Sequence, residues 1–128
     1  MKDIKPGVHC YNVYCKVVEV EITETESTRG DTIITALGVV ADETGCANFR
    51  LRNDHCKLIK KGENIAIRNG KSNVVDEHIL LDLDKFGRIT SEPDQDIKPN
   101  LDNNISEEVW DKRKKNWYIN YSLTLIND

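Results

Sequence analysis

The sequence predicts an all-β fold: a five-stranded barrel with one short helix between the third and fourth strands, followed by a C-terminal helical extension. Three observations carry this expectation. Apolar residues alternate with polar ones at a period of two through residue 90, glycines interrupt the alternation at turn spacings, and residues 53–62 form an isolated stretch of helical spacing.

In the first run Val13, Cys15 and Val17 share one phase, whereas Val18, Val20 and Ile22 take the other. Such a change of side between Val17 and Val18 calls for a bulge or sharp bend. The second run, residues 32–41, places Ile33, Leu37 and Val39 on one face. It ends in Asp42-Glu43-Thr44-Gly45, a tight turn that makes a hairpin with the run that follows. There Ala47, Phe49 and Leu51 point inward, and Asn48, Arg50 and Arg52 point outward. In the helical stretch Asn53 or Asp54 is the expected cap, Cys56 and Ile59 form a buried stripe, and Gly62 is the stop. Ile65 and Ile67 face inward in the fourth strand, and Ile79, Leu81 and Leu83 in the fifth. A polar stretch through Ser72, Asn73 and Asp76-Glu77 joins them. Five strands with a helix between the third and fourth is the order of an OB-fold, a Greek-key barrel whose long, bent first strand pairs at both ends.

The barrel accounts for residues 1–93. Residues 91–105 carry two of the three prolines and few apolar side chains, and residues 94–105 read as a linker. From Ser106 the pattern turns helical: Ser106 is the expected cap, Glu107 and Glu108 suit the positive end, and Trp110 and Trp117 share a face. Residues 121–126 alternate as a short strand, which completes an extension over residues 106–128.

Of the 128 residues 38% are hydrophobic and 31% charged, a composition that buries a core. The longest uncharged apolar run, within residues 33–41, is less than half of the ~20 residues a spanning helix needs, so no membrane partner is expected. The N-terminus lacks the apolar region of a secretory signal, and the four cysteines read as free thiols in a reducing compartment. An intracellular place, nucleus or cytoplasm, follows as the expectation. A net charge of -4 excludes a protein that grips duplex DNA by bulk charge, so any nucleic-acid site must be local.

The outward face of the third strand is the sharpest candidate. OB-folds bind ligands over the second and third strands, and guanidinium groups one pleat apart suit a single strand threading across them. Arg50 and Arg52, beside Asn48, are therefore the expected centre, with Arg29 in the loop after the first strand and Arg68 and Lys71 in the fourth as flanking contacts. The competing reading has these arginines balancing Glu19, Glu21 or neighbouring acids. A secondary contact is the basic run with aromatic flanks, Trp110, Lys112, Arg113, Lys114, Lys115 and Trp117, whose mix of charge and π-faces suits single-stranded nucleic acid. Its alternatives are docking on the barrel, a homodimer or a protein partner through residues 106–121, or a localisation signal.

No metal is expected, because His9, Cys10, Cys15, Cys46, His55 and Cys56 lack ligand spacing and Cys15 and Cys56 fall on core faces. Neither a catalytic motif nor a cofactor loop is present. Asp82 and Asp84 share one outward face and read as solvated carboxylates.

The stretch 39–93 resembles single-OB-fold proteins that bind single-stranded DNA: the small plant proteins of this type and, more distantly, the OB-fold component of the SOSS complex and archaeal replication protein A domains. The resemblance is carried by Asp42-Glu43-Thr44-Gly45, Phe49 with Arg52-Asn53-Asp54, Leu58 with Gly62, Ile67-Arg68-Asn69, and Asp84-Lys85-Phe86-Gly87-Arg88-Ile89 with Glu92-Pro93. Ile4-Lys5-Pro6-Gly7 resembles the family's opening. The resemblance implies single-strand binding in replication or repair. Where SOSS-type relatives use aromatics to stack bases, this chain has Arg52, Lys71, Val75 and Asp82. The alternative function is a protein-interaction subunit of a replication, repair or RNA-processing assembly, with weak affinity for nucleic acid.

Overall fold

A computed structural model describes residues 1–109 and 121–124 of the chain. Among them seven strands form one sheet: β1 (Val8–Glu26), β2 (Thr32–Ala41), β3 (Cys46–Arg52), β4 (Asn64–Val75), β5 (His78–Asp82), β6 (Arg88–Ser91) and β7 (Tyr121–Thr124). The order is β6-β4-β5-β3-β2-β1-β7, and β1 also pairs with β4, so β1 to β5 close into an OB barrel.

Closure depends on β1 serving two neighbours. Residues 9–16 run antiparallel to β4 and residues 16–26 antiparallel to β2, with the register slipping between Val17 and Glu19. The bulge therefore sits where the change of apolar phase predicts it, and Val13, Cys15 and Val17 are buried on the inner side. Gly38 makes the bulge possible. A Cβ there would lie 2.0 Å from the Glu19 carbonyl oxygen and 2.8 Å from the Phe49 ring.

The inward side of β2 is the reverse of the expected apolar one. Ala36 and Val40 are buried, whereas Ile33 and Leu37 are exposed and Val39 is half-buried. The cross-strand partners explain it: Ala36 stands opposite Leu51, Gly38 opposite Phe49 and Val40 opposite Ala47. Large β3 side chains fill the space, so β2 contributes small ones to the same core layer. The β2–β3 turn is built on Asp42, whose Oδ1 accepts from Thr44 N–H at 2.8 Å and Gly45 N–H at 3.1 Å. Its Oδ2 accepts from the Met1 ammonium at 2.6 Å.

The expected helix between β3 and β4 is a 3-10 helix, Asn53–Leu58, without a side-chain cap; Asn53 has φ 55 and the capping position falls to Arg52. Cys56 and Ile59 are buried as expected. Ser72 and Asn73 belong to β4 rather than to a connection. The β4–β5 turn is Asp76-Glu77 alone, with φ 51 and 71, the two positive values of a tight hairpin. The sequence reading also missed β6, which pairs with the first half of β4.

Residues 94–105, expected as a linker, lie along the barrel. Ile97 is buried, Asn100 N–H donates to the Asp42 carbonyl at 2.8 Å, and Cys46 N–H donates to the Asn103 carbonyl at 2.9 Å. A 3-10 turn, Ile105–Glu107, follows. Asn104 caps it, accepting from Ser106 N–H at 2.8 Å. Ser106, expected as the cap, is buried, and its Oγ accepts from Asn48 N–H at 2.8 Å. The chain is extended again at Glu108. The helix expected over Trp110 to Trp117 lies outside the described residues, and residues 121–124 are a strand parallel to β1.

Three tests follow from the core. Replacing Gly38 with Ala drives a methyl group into the Glu19 carbonyl and should cost at least about 1–3 kcal/mol, read as a lower melting temperature. Burial pushes the thiols of Cys15, Cys46 and Cys56 up from their ordinary value, while Cys10 is exposed. A disulfide reagent near neutral pH should therefore label Cys10 fast and the other three slowly, and all four at once in denaturant. Because the folded chain keeps thiol protons that the unfolded chain releases near pH 9.0, stability should fall as pH rises past that value.

Candidate nucleic-acid interface

Register assembles the outward face of β1, β2 and β3 into rows. Glu19, Val39 and Asn48 form one, Glu21, Leu37 and Arg50 the next, and Thr23, Thr35 and Arg52 the third. The three β3 residues expected at or beside the centre are thus side by side and outward, but their circumstances differ.

Asn48 is engaged by the segment that crosses β3. Besides the bond to Ser106, its Oδ1 accepts from Asn104 Nδ2 at 3.4 Å. Arg50 is half-buried and bound to an acid, but to neither Glu19 nor Glu21. Its Nη2 donates to Asp82 Oδ2 at 2.9 Å. Asp82, expected as a solvated carboxylate, is 7% exposed; it also accepts from Leu83 N–H at 2.8 Å and from Asn73 Nδ2 at 3.4 Å. A buried carboxylate needs this company, and the guanidinium that supplies it is held to the protein.

Arg52 is exposed. With Lys85 and His55 it lines a cleft of about 300 Å³, floored by Leu83 and edged by Asn53, Asp54 and Asp84. The β5–β6 turn also carries an exposed aromatic next to Lys85: Phe86 is 67% exposed, and Lys85 Nζ lies 5.0 Å from its ring centroid. Asp84 holds the turn, with Oδ1 accepting from Phe86 N–H at 2.8 Å and its carbonyl from Gly87 N–H at 3.1 Å. Lys85 and Phe86 were missed as site residues. The signal was in Asp84-Lys85-Phe86-Gly87, whose polar-aromatic-glycine turn displays the ring rather than burying it.

The flanking residues scatter. Arg68, half-buried, stands opposite Arg88 where β6 leaves the Phe86 turn. Lys71 is half-buried and stands opposite Asp82 in the β4–β5 ladder. Arg29 is exposed at the tip of the β1–β2 hairpin, in a turn closed by Ser27. Lys112 to Lys115 and the two tryptophans lie outside the described residues. Among the described residues no three His, Cys, Asp or Glu side chains gather to hold a metal ion, and no helix is long and apolar enough to cross a membrane.

Residues 4–91 match the family described as single-stranded DNA binding protein Ssb-like, OB fold. An uncharacterized protein of Arabidopsis thaliana is 29% identical over 116 residues, 83% of this chain and 76% of that protein. The solution structure of a hypothetical protein from Arabidopsis thaliana superposes with a TM-score of 0.71 at 27% identity, covering 88% of this chain and 84% of that one. Two more distant structures share the fold. One is a replication protein A heterotrimer bound to ssDNA, with a TM-score of 0.63 at 13% identity over 78% of this chain and 26% of that chain. The other is the OB domain of a Thermoplasma acidophilum protein, with a TM-score of 0.62 at 18% identity over 80% of this chain and 92% of that one.

The Arg50–Asp82 pair yields a stability test. Arg50→Ala leaves Asp82 buried with weaker partners and should cost about 1–3 kcal/mol, whereas Arg52→Ala, at an exposed position, should leave the melting temperature nearly unchanged. Equal melting temperatures for the two variants would show that the pair does not hold the face together.

Proposed function

The chain belongs to the Ssb-like family of single-stranded DNA-binding OB folds, and on that premise we propose that it binds single-stranded nucleic acid, DNA in replication or repair, without catalysing a reaction. The observation that carries this reading is the exposed Arg52 in one cleft with Lys85, whose ammonium lies over the exposed ring of Phe86. A phosphate pairs with the guanidinium and the ammonium, and a base stacks on the open face of Phe86 or on Arg52 itself. Arg88 and Arg68, adjacent across β6 and β4, continue the positive charge away from the cleft. The contact centre thus narrows from Arg50 and Arg52 to Arg52 alone, because Arg50 is committed to Asp82.

One observation favours the second reading, a protein-interaction subunit: Glu19 and Glu21 share the outward face with Arg50 and repel phosphate there. The two readings divide on affinity for a bare strand.

Fluorescence anisotropy of a labelled oligothymidine decides between them. Binding should weaken with salt by a slope near ~0.7 per phosphate contact. Phe86→Ala and Arg52→Ala should each cost about 1–3 kcal/mol, with Arg52→Lys recovering part of the loss. Unchanged affinity in both alanine variants would put the site elsewhere, and no measurable binding at low salt would favour the protein-interaction reading.

A further inference from the structure

β1 presents an open edge where it leaves the barrel. On the side used by β4, its last tie is Val17, whose N–H donates to the Glu63 carbonyl at 2.9 Å and whose carbonyl accepts from Gly62 N–H at 2.7 Å. Beyond it, residues 18–26 pair with β2 on one side and, among the described residues, with no strand on the other. An antiparallel ladder uses the backbone groups of alternate residues, so every second N–H and carbonyl of this stretch points outward without a strand partner. The hairpin is a firm platform. Its tip is closed by Ser27 N–H donating to the Asp31 carbonyl at 2.8 Å, with Ser27 Oγ accepting from Arg29 and Asp31 N–H.

The side chains along this edge alternate as Val18-Glu19-Val20-Glu21-Ile22. Glu19 and Glu21 are exposed on the outward face, beside a groove of about 380 Å³ lined also by Leu37, Val39 and Leu80. On the other face Val18 and Val20 are half-buried and Ile22 is 51% exposed. Towards the tip Glu24 and Glu26 keep the edge acidic.

We infer that this edge docks an extended segment of a partner protein in which basic and apolar residues alternate, added to β1 as a further strand. Backbone hydrogen bonds supply the common part of such an interaction, and the alternating side chains supply its selectivity. Basic side chains of the added strand lie beside Glu19 and Glu21 on the outward face, and apolar ones continue the row of Val18, Val20 and Ile22 on the other. Charge selects this occupant. Nucleic acid is repelled by four glutamates, and a second copy paired along the same edge sets its own four beside them. The surface uses neither Arg52 nor Phe86, so it stands whether or not the chain binds a bare strand.

The probe is a capped synthetic peptide of alternating Lys and Val. Its controls are the same composition in two blocks, an alternating Glu and Val peptide, and the alternating Lys and Val peptide N-methylated on one set of alternate amides. Anisotropy at physiological salt should show the alternating basic peptide binding about tenfold or more tighter than each control. Hydrogen exchange should show new protection at residues 18–26. The double variant Glu19→Lys, Glu21→Lys should lose about tenfold or more in peptide affinity while keeping its melting temperature and binding oligothymidine no more weakly. Equal affinity for the block peptide reduces the effect to bulk charge and overturns the inference. So does protection elsewhere than residues 18–26, or sedimentation showing that the free chain self-associates through this edge. If the double variant loses stability, the N-methylated peptide, which leaves the protein untouched, decides the question: affinity equal to that of the unmethylated peptide overturns backbone pairing, and a tenfold loss supports it.

Discussion

The close approach of the Glu19 carbonyl to Gly38 is the constraint on which the rest of the barrel depends. A strand 19 residues long that stayed regular could line one neighbour; to close a barrel it must turn from β4 to β2. The extra residue between Val17 and Glu19 makes that turn, and the missing Cβ at position 38 gives the Glu19 carbonyl room. One insertion has two consequences. Val13, Cys15 and Val17 enter the core below the bulge, and above it the outward positions fall to Glu19 and Glu21, which places acid on the face that also carries Arg50.

Asp82 then sets how the positive charge on that face is distributed. Its carboxylate is nearly covered, and the cost of leaving it unpaired exceeds what a surface ion pair is worth. Arg50 satisfies it at 2.9 Å, and Lys71 stands opposite it in the next ladder. A cation held this way is neutralised towards a phosphate approaching from solvent. The free guanidinium lies one pleat further along β3, where it lines a cleft with Lys85, whose ammonium lies over the exposed ring of Phe86. The useful charge therefore gathers at one end of the face, around a cleft, rather than at its middle.

The sequence made the barrel legible wherever large residues alternate with polar ones: β3, the inward halves of β4 and β5, and the bulge itself, read from Val17 and Val18. It misled at β2. There the core residues are Ala36 and Val40, because Phe49 and Leu51 already fill the layer, and the conspicuous Ile33 and Leu37 are left outside. Alternation reports hydrophobicity, whereas packing asks for complementary volume across a ladder. The same limit applied to the site. Parity placed Arg50 and Arg52 outward together, but their difference depends on Asp82, 32 positions from Arg50, and on the turn that holds Phe86 beside the cleft. Ser106 read as a helix cap for the same reason: nothing local shows that its hydroxyl is claimed by the Asn48 amide.

The segment carrying Asn104 and Ser106 completes the division of β3. Asn48 gives its amide to Ser106 and shares its side chain with Asn104, Arg50 is bound to Asp82 on the neighbouring β5, and Arg52 ends the strand in solvent at the start of a 3-10 helix. Three side chains spaced by one pleat thus pass from hydrogen-bonded, through ion-paired, to free. Each step is set by a different part of the chain: a crossing segment, a neighbouring strand and a break in the ladder. Because a sheet holds those positions rigidly one pleat apart, the gradient is fixed by the fold itself, and among the three β3 residues the guanidinium outside any ion pair is the one at the Arg52 end.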